Sequence, residues 1–469
     1  MNIIESRNIC FSYNGSTEKA LSDISLEIKK GECVLLCGKS GCGKTTFSRL
    51  LNGLTPFFFR GELSGECTTA GLEAGKATIE EYVPVVGSVF QNPKTQYFNV
   101  NTTDEIAFPC ENMGMSSEEI RRRVNECSEK FEIGHLMDRS IFKLSGGEKQ
   151  RIACGAASVL NPQVIVFDEP TSNLDNNAIE HLHHIIKLMK ELGMTIVIAE
   201  HRISWVKDLV DKCFYFDKGE LKNQWAKDEF VKLTPSELDE LGLRTLDTAP
   251  YHELVLKKKE YTSSGKEILF STENLTIGYD KNNPVRKIND LSVYAGEIIG
   301  LMGSNGCGKS TFAKTLCGLL KPIDGKITSN GKALTSRELI RNSFLVMQDV
   351  SYQLFSDSVR EEVLIGVEDD SKCDEILESL GLKELADRHP MSLSGGQKQR
   401  TAIASAMLSD KKFIIFDEPT SGLDHYHMEQ VGKMLVQLKN QGKSLLVITH
   451  DEELAADWCD RIIDLEKGN

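Results

Sequence analysis

The sequence predicts an α/β fold arranged as two tandem copies of one domain, and three observations carry that prediction. Short, continuously apolar runs recur along the chain, with amphipathic stretches between them. In each half, one such run leads through a glycine-rich loop into a helical pattern. Three separate motifs then return in the second half in the order they hold in the first.

The apolar runs come first. Val34-Leu35-Leu36, Ile298-Ile299-Gly300-Leu301, Thr195 to Ile198 and Leu445 to Ile448 end at glycines, acids or histidines. Runs this short and unbroken suit strands buried on both faces of a largely parallel sheet. Ser117 to Phe131 and Ser371 to Leu380 read as amphipathic helices between them. The repeat itself is explicit. Gly38-Lys-Ser-Gly-Cys-Gly-Lys44-Thr45-Thr46 returns as Gly303-Ser-Asn-Gly-Cys-Gly-Lys309-Ser310-Thr311, Leu144-Ser-Gly-Gly-Glu-Lys-Gln-Arg151 as Leu393-Ser-Gly-Gly-Gln-Lys-Gln-Arg400, and Val164-Ile-Val-Phe-Asp-Glu-Pro170 as Phe413-Ile-Ile-Phe-Asp-Glu-Pro419. This places a first domain at 1–228, a linker at 229–266 and a second domain at 267–469. The linker carries a short helical reading from Pro235 to Leu241, and its run Lys257-Lys258-Lys259 reads as a solvated face.

Bulk properties narrow the function classes. A formal charge of −14 argues against nucleic acid as the main partner, because neutralising phosphates calls for a basic surface. Thirteen cysteines show no metal-ligand spacing, and Cys33, Cys37 and Cys317 sit in apolar runs as small buried groups. The N-terminus has no basic start followed by an apolar stretch, so no signal peptide is expected. The expected setting is a reducing cytoplasm. No apolar run reaches the roughly 18 residues of a membrane span, so a transport role would need another chain to supply the path.

Each motif has its own chemistry. A loop of the form GxxxxGK(S/T) between a strand and a helix wraps phosphates with backbone N–H groups, aided by the helix N-terminus. Gly38, Gly41 and Gly43, with Gly303, Gly306 and Gly308, give the loops their turns. Lys44 and Lys309 would reach the terminal phosphates, while Thr45 and Ser310 supply a hydroxyl to Mg²⁺ and Thr46 and Thr311 continue the loop. At a strand's carboxyl end, where ligands bind in open α/β sheets, Asp168 and Asp417 are candidates to help hold Mg²⁺. Glu169 and Glu418 are candidates to polarise an attacking water. His201 and His450 each end a later apolar strand and read as γ-phosphate sensors. The Ser-Gly-Gly turns at Ser145, Gly146, Gly147 and at Ser394, Gly395, Gly396 head helices and form a second kind of anion site.

With these motifs together, the sequence resembles the ATP-binding-cassette ATPases across essentially all of both halves. The resemblance implies two tandem nucleotide-binding domains, each a P-loop NTPase core with an α-helical signature subdomain, working with ATP and Mg²⁺. It makes Tyr13 and Tyr279 similar to the aromatics that stack on adenine. It likewise makes Gln91 and Gln348 similar to the glutamine that joins the γ-phosphate and Mg²⁺ site to a transport partner. Ser172 to Asp175 and Ser421 to Asp424 are similar to the loops that pass signals between sites. It further implies that the two cassettes of one chain pair head to tail. One site would then combine Tyr13, Lys44, Gln91, Asp168, Glu169 and His201 with Ser394, Gly395 and Gly396. The other would combine Tyr279, Lys309, Gln348, Asp417, Glu418 and His450 with Ser145, Gly146 and Gly147. Both keep their glutamate and signature, so both are expected to hydrolyse ATP.

Within that family, Val89-Phe-Gln-Asn-Pro-Lys-Thr-Gln96 with Thr103 to Phe108 and Glu111 to Gly114 resembles the ATPases of energy-coupling-factor importers of vitamins and transition-metal ions. Pro56 to Gly65 and Ala199-Glu200-His201-Arg202 resemble their fused double-ATPase members. The partners so implied are a transmembrane coupling protein and a substrate-binding membrane subunit, with the ATPase peripheral on the cytoplasmic face of the cell membrane. The second half keeps the Gln-x4-Gln spacing from Gln348 to Gln353 but lacks the Asn-Pro step. With the sequence running to Asn469, the C-terminal extension by which separate ATPases of this group often pair is not expected, and the linker is expected to stand in for it. The segment Asn92 to Phe98 is expected to dock the coupling protein through exposed Tyr97 and Phe98. Phe57 to Phe59 read equally as lobe packing or coupling. Cys42 and Cys307 read first as small residues tolerated in the loops, though a place near a helix N-terminus is expected to lower a thiol's pKa and make it more reactive. Other readings remain: a ribosome-acting double cassette, which tends to carry a longer basic connector; a DNA-maintenance ATPase, which needs a long insertion that this chain lacks; and a fused sugar-importer ATPase, whose second domain usually departs from LSGGQ.

Overall fold

The computed structural model describes residues 1–91, 95–172, 174–259 and 267–466. They divide into two compact units, Met1–Asp247 with Gly422–Tyr426, and Thr248–Ser421 with His427–Asn469.

In the first unit a six-stranded sheet runs in the order Glu220–Ala226, Lys212–Asp217, Cys33–Gly38, Thr195–Ala199, Val164–Asp168, Val86–Val89. All neighbours are parallel except the first pair. Cys33–Gly38 and Thr195–Ala199 are buried at every position, which is why both read as unbroken apolar runs with no alternation. A second, antiparallel sheet of Leu21–Lys29, Asn2–Tyr13, Gly61–Thr69 and Leu72–Glu73 packs over the Lys44–Leu51 helix. The helices Thr102–Asn112, Ser117–Lys130 and Gly146–Ser158 form the helical part. Gly155 lets them close up, since a Cβ there would lie 3.1 Å from Ile133 and 3.4 Å from the Cys127 sulfur.

The second unit repeats the plan. Its parallel sheet runs Ser343–Val346, Phe413–Asp417, Ser444–Ile448, Ile298–Met302, Arg461–Asp464. An antiparallel sheet is built around Ile268–Ile277, and the helices Val359–Val363, Cys373–Ser379 and Gly395–Leu408 form the helical part. The thirteen cysteines are all free thiols, and every one but Cys10 is buried.

The stretch read as a linker is packed on both sides of Asp247. The helices Lys227–Phe230 and Pro235–Leu241 place Phe230, Leu238, Leu243 and Leu246 in the first unit's core. The helix Ala249–Lys259 belongs to the second unit, where Lys259 pairs with Asp464 at 2.8 Å and Lys258 donates to the carbonyls of Ala456 and Cys459. Those two lysines therefore do more than meet solvent, because Lys258 completes the carbonyl end of a neighbouring helix and Lys259 neutralises an acid at a strand's end. Residues 260–266 lie outside the described set.

Candidate nucleotide sites

The glycine-rich loops are built alike. Gly38, Gly41 and Gly43 have φ of 142°, 76° and 107°, and Gly303, Gly306 and Gly308 have 142°, 82° and 107°. A Cβ on Gly38 would sit 2.1 Å from the Phe216 carbonyl oxygen, so only glycine fits. Lys44 Nζ donates to the carbonyls of Gly38 (2.9 Å) and Lys39 (3.1 Å). Lys309 Nζ donates to those of Gly303 (2.7 Å) and Ser304 (3.0 Å) and meets His450 Nε2 at 2.9 Å.

Cys42 and Cys307 are buried. Each sulfur packs beneath the first glycine of its loop, 2.8 Å from where a Cβ on Gly38 or Gly303 would stand. Burial raises both thiol pKa values, against the opposing pull of Lys44 and Lys309. The expectation of activated thiols is thereby reversed, because desolvation outweighs the neighbouring positive charge.

Thr45 Oγ1 donates to Asp168 Oδ1 at 2.9 Å, and the Ser310 hydroxyl bonds Asp417 in the same way. Burial, then the charge of Glu169, pushes the Asp168 carboxyl up to about 6. Burial raises Asp417 also. A hydroxyl beside a carboxylate is an all-oxygen donor pair suited to Mg²⁺, and the loops offer backbone space that any side chain would fill, so these residues fit a magnesium nucleotide.

Glu169 and Glu418 stand at φ of 45° and 51°, a left-handed backbone that costs of order 1–3 kcal/mol for a non-glycine residue and collects at functional positions. Their N–H groups donate to Ala199 O (2.8 Å) and Ile448 O (2.9 Å), which aims each carboxylate off the strand end. Glu169 accepts from Gln91 Nε2 at 2.6 Å and lies 3.4 Å from His201 Nε2. Glu418 lies 3.4 Å from His450 Nε2, which also meets Asn305 Oδ1 at 3.1 Å. Gln348 follows the equivalent strand, Ser343–Val346.

The two tyrosines differ. Tyr13 OH meets Thr46 Oγ1 at 3.0 Å and accepts from Arg49 at 3.3 Å, which ties it to the helix after the loop. Tyr279 is exposed. Thr311 is buried at the start of its own helix.

Ser145 and Ser394 are N-caps of the helices Gly146–Ser158 and Gly395–Leu408. Each closes a capping box, with Glu148 in the first unit and Gln397 in the second. The leading N–H groups of such helices have no intrahelical partner. Gly147 is needed structurally as well, since a Cβ there would lie 2.6 Å from Ala178; Gly395 stands in open space and Gly396 nearly so.

Sequence reasoning missed several residues. Thr171, next to Glu169-Pro170, donates to Glu200 at 2.6 Å, and Thr420 donates to Asp451 at 2.9 Å. The acid precedes the histidine in one unit and comes after it in the other, so simple motif spacing hides the match. Gln96 accepts from Phe90 N (3.2 Å) and donates to Ser88 O (2.9 Å), and Gln353 accepts from Met347 N (2.7 Å). The Gln-x4-Gln spacing is therefore an internal clamp on the loop. A buried glutamate fixes the next turn of chain in each unit. Glu105 accepts from the N–H groups of Phe98 (3.0 Å) and Asn99 (2.8 Å), and Glu362 from those of Phe355 (2.7 Å) and Ser356 (2.8 Å).

The docking expectation is corrected in part. Tyr97 packs on the first core and its hydroxyl donates to Lys149 O, because the glutamate clamp turns it inward. Phe98 and Phe355 are 76% and 78% exposed. Asn92, Pro93 and Lys94 lie outside the described residues. Phe57 and Phe58 are exposed, while Phe59 lies under the Arg49 guanidinium at 3.8 Å, so the Phe57 to Phe59 run serves packing at one end only.

The chain matches the ABC transporter family over residues 21–172 and 287–421. It is 43% identical, over 99% of its own length and 96% of the other's, to a Treponema denticola protein whose own assignment as an ABC transporter ATP-binding protein is provisional. Its fold is similar to the solved RNase-L Inhibitor structure, with a TM-score of 0.64, 23% identity, and 97% of this chain and 87% of that one covered. A second solved structure, of an archaeal ribosomal stalk protein with an archaeal ribosome recycling factor, gives a TM-score of 0.64 at 22% identity over 97% of this chain and 87% of that one. At those identities the two likenesses concern the fold.

Proposed function

The chain belongs to the ABC transporter family and is a two-cassette ATPase that works with ATP and Mg²⁺, and from that premise we propose that it powers an energy-coupling-factor importer of a vitamin, a related small molecule or a metal ion. In this reading it sits on the cytoplasmic face of the membrane, against a transmembrane coupling protein that works with a substrate-binding membrane subunit. Glu169 and Glu418 orient and deprotonate the attacking water, held in place by Gln91, His201 and His450. Lys44 and Lys309 bind the terminal phosphates from loops already shaped by glycine. Thr45 with Asp168, and Ser310 with Asp417, hold Mg²⁺, which when bound neutralises charge on the phosphate oxygens.

The observation that carries the importer reading is the pair of exposed phenylalanines. Phe98 and Phe355 are each presented by a glutamine clamp and a buried glutamate, a few residues after Gln91, which reaches Glu169, and its counterpart Gln348. Exposed aromatics on rigid loops are strong interface anchors, and their closeness to Gln91 and Gln348 gives hydrolysis a mechanical outlet. Among the described residues no helix is long and apolar enough to cross a membrane, so such an outlet leads to another chain. The resemblance of Val89 to Gln96 to importer ATPases supports the same partner.

Replacing both Phe98 and Phe355 with serine tests this. Soluble ATPase activity should stay within about twofold, since neither ring touches the nucleotide loops, while co-purification with the membrane subunits is lost. Full retention of the complex and of uptake would overturn the importer reading.

A further inference from the structure

The helix Glu452–Trp458 begins immediately after His450, and its N-cap is Asp451. Asp451 Oδ1 accepts from Leu454 N at 3.4 Å, and Oδ2 accepts from Thr420 Oγ1 at 2.9 Å, next to Glu418-Pro419. Any shift of this short helix is therefore passed through one aspartate to both the sensor histidine and the loop that carries the glutamate.

The helix is held from both sides. On one side, Gly432 admits the Trp458 ring so closely that a Cβ would lie 2.2 Å from it. On the other lies Ala249–Lys259, which precedes the second unit's first strand. His252 Nδ1 meets Glu452 Oε1 at 2.9 Å at the front of the helix. Lys258 Nζ bonds the carbonyls of Ala456 and Cys459 at its rear. His252 and Lys258 stand about 9 Å apart along their own helix, so one rigid element grips both ends of the other. Carbonyls at a helix end lack intrahelical partners, and an ammonium group satisfies them with the favourable sign for the helix dipole.

We infer that the helix Ala249–Lys259 is a brace for the second nucleotide site, with Lys258 as a positioning residue that holds His450 and Glu418 in register through Glu452–Trp458. The bracing helix carries no nucleotide motif of its own. The inference rests on the reading that the second site hydrolyses ATP, and the test separates the two.

The variant Lys258→Met keeps most of the aliphatic stem and removes the charge, and Lys258→Arg restores a donor. The full-length chain is used throughout. In K258M, turnover at the second site, read in the Glu169→Gln background that silences the first, should fall about 3- to 10-fold, the scale of a small misplacement of a catalytic group, with KM unchanged. Backbone hydrogen exchange should rise several-fold over Thr449 to Leu454 and stay unchanged over Ala199 to Ile203 in the first unit. K258R should recover most of both losses. Unchanged exchange over Thr449 to Leu454 in K258M overturns the brace, whatever the hydrolysis rate. So does a lowered melting point with kcat intact, which would make the lysine merely structural. If Glu418→Gln leaves steady-state hydrolysis untouched, the second site's competence fails instead, and the exchange measurement still decides the brace.

Discussion

Glu169 and Glu418 occupy the same strained left-handed position in units that otherwise differ in detail, and each faces a histidine at 3.4 Å. Replacing either with Gln should lower turnover at its own site by on the order of 10²–10³ while nucleotide binding persists, as steady-state ATPase and equilibrium binding assays would report. The double variant should be nearly inactive; normal activity would refute the assignment. Asp168 has a different balance. Burial moves its carboxyl from 3.8 to about 6, so the folded state holds a proton that the unfolded chain releases near pH 4. Its contribution to stability is full below about pH 4 and is lost as pH rises to about 6, beyond which the buried charge is a constant penalty. Asp168→Asn should therefore stabilise the first unit at pH 8 by on the order of 1–2 kcal/mol. The gain should vanish by about pH 4 in thermal melts, and Mg²⁺-dependent hydrolysis at the first site, read in the Glu418→Gln background, should be lost at every pH.

Elements, rather than single residues, explain what could be read from the sequence. The central strands were legible because strands buried on both faces leave an unbroken apolar record, as in Cys33–Gly38. The phosphate loops were legible because only glycine tolerates their backbone. The loop after Gln91 was not, since two adjacent aromatics do not say which one turns inward. That choice is made by Glu105, an acid on a separate helix that captures two loop N–H groups. Nor does a lysine run disclose that Lys258 will cap a helix 198 residues away. The loop supplies its own test. Glu105→Ala should leave those two amides without their acceptor, destabilise the first unit by about 1–3 kcal/mol in urea titration, and weaken binding of the proposed membrane partner more than it lowers soluble ATPase activity. Equal loss of both would show that the clamp serves only the fold.

At the scale of the whole molecule, the stretch between the repeated motifs matters as much as the motifs. Its first part buries Phe230, Leu238, Leu243 and Leu246 in one unit, and its second part joins the other at Thr248. Truncations placed by motif alone and by packing should then behave differently. A piece spanning 1–228 forfeits four buried apolar groups, each contributing about 1.5–3 kcal/mol, and should be insoluble or molten. A piece spanning 1–247 should melt cooperatively, as calorimetry would record. If both melt alike, those side chains contribute little. The packing has a bearing on how such a chain can be altered over time. Because residues 229–259 of the segment joining the copies are packed on two separate units, that part no longer behaves as a tether whose length can drift. An insertion or deletion there would disturb folding on one side of Asp247 or hydrolysis on the other, so the joint between the halves should be under tighter constraint than many of the surface loops around it.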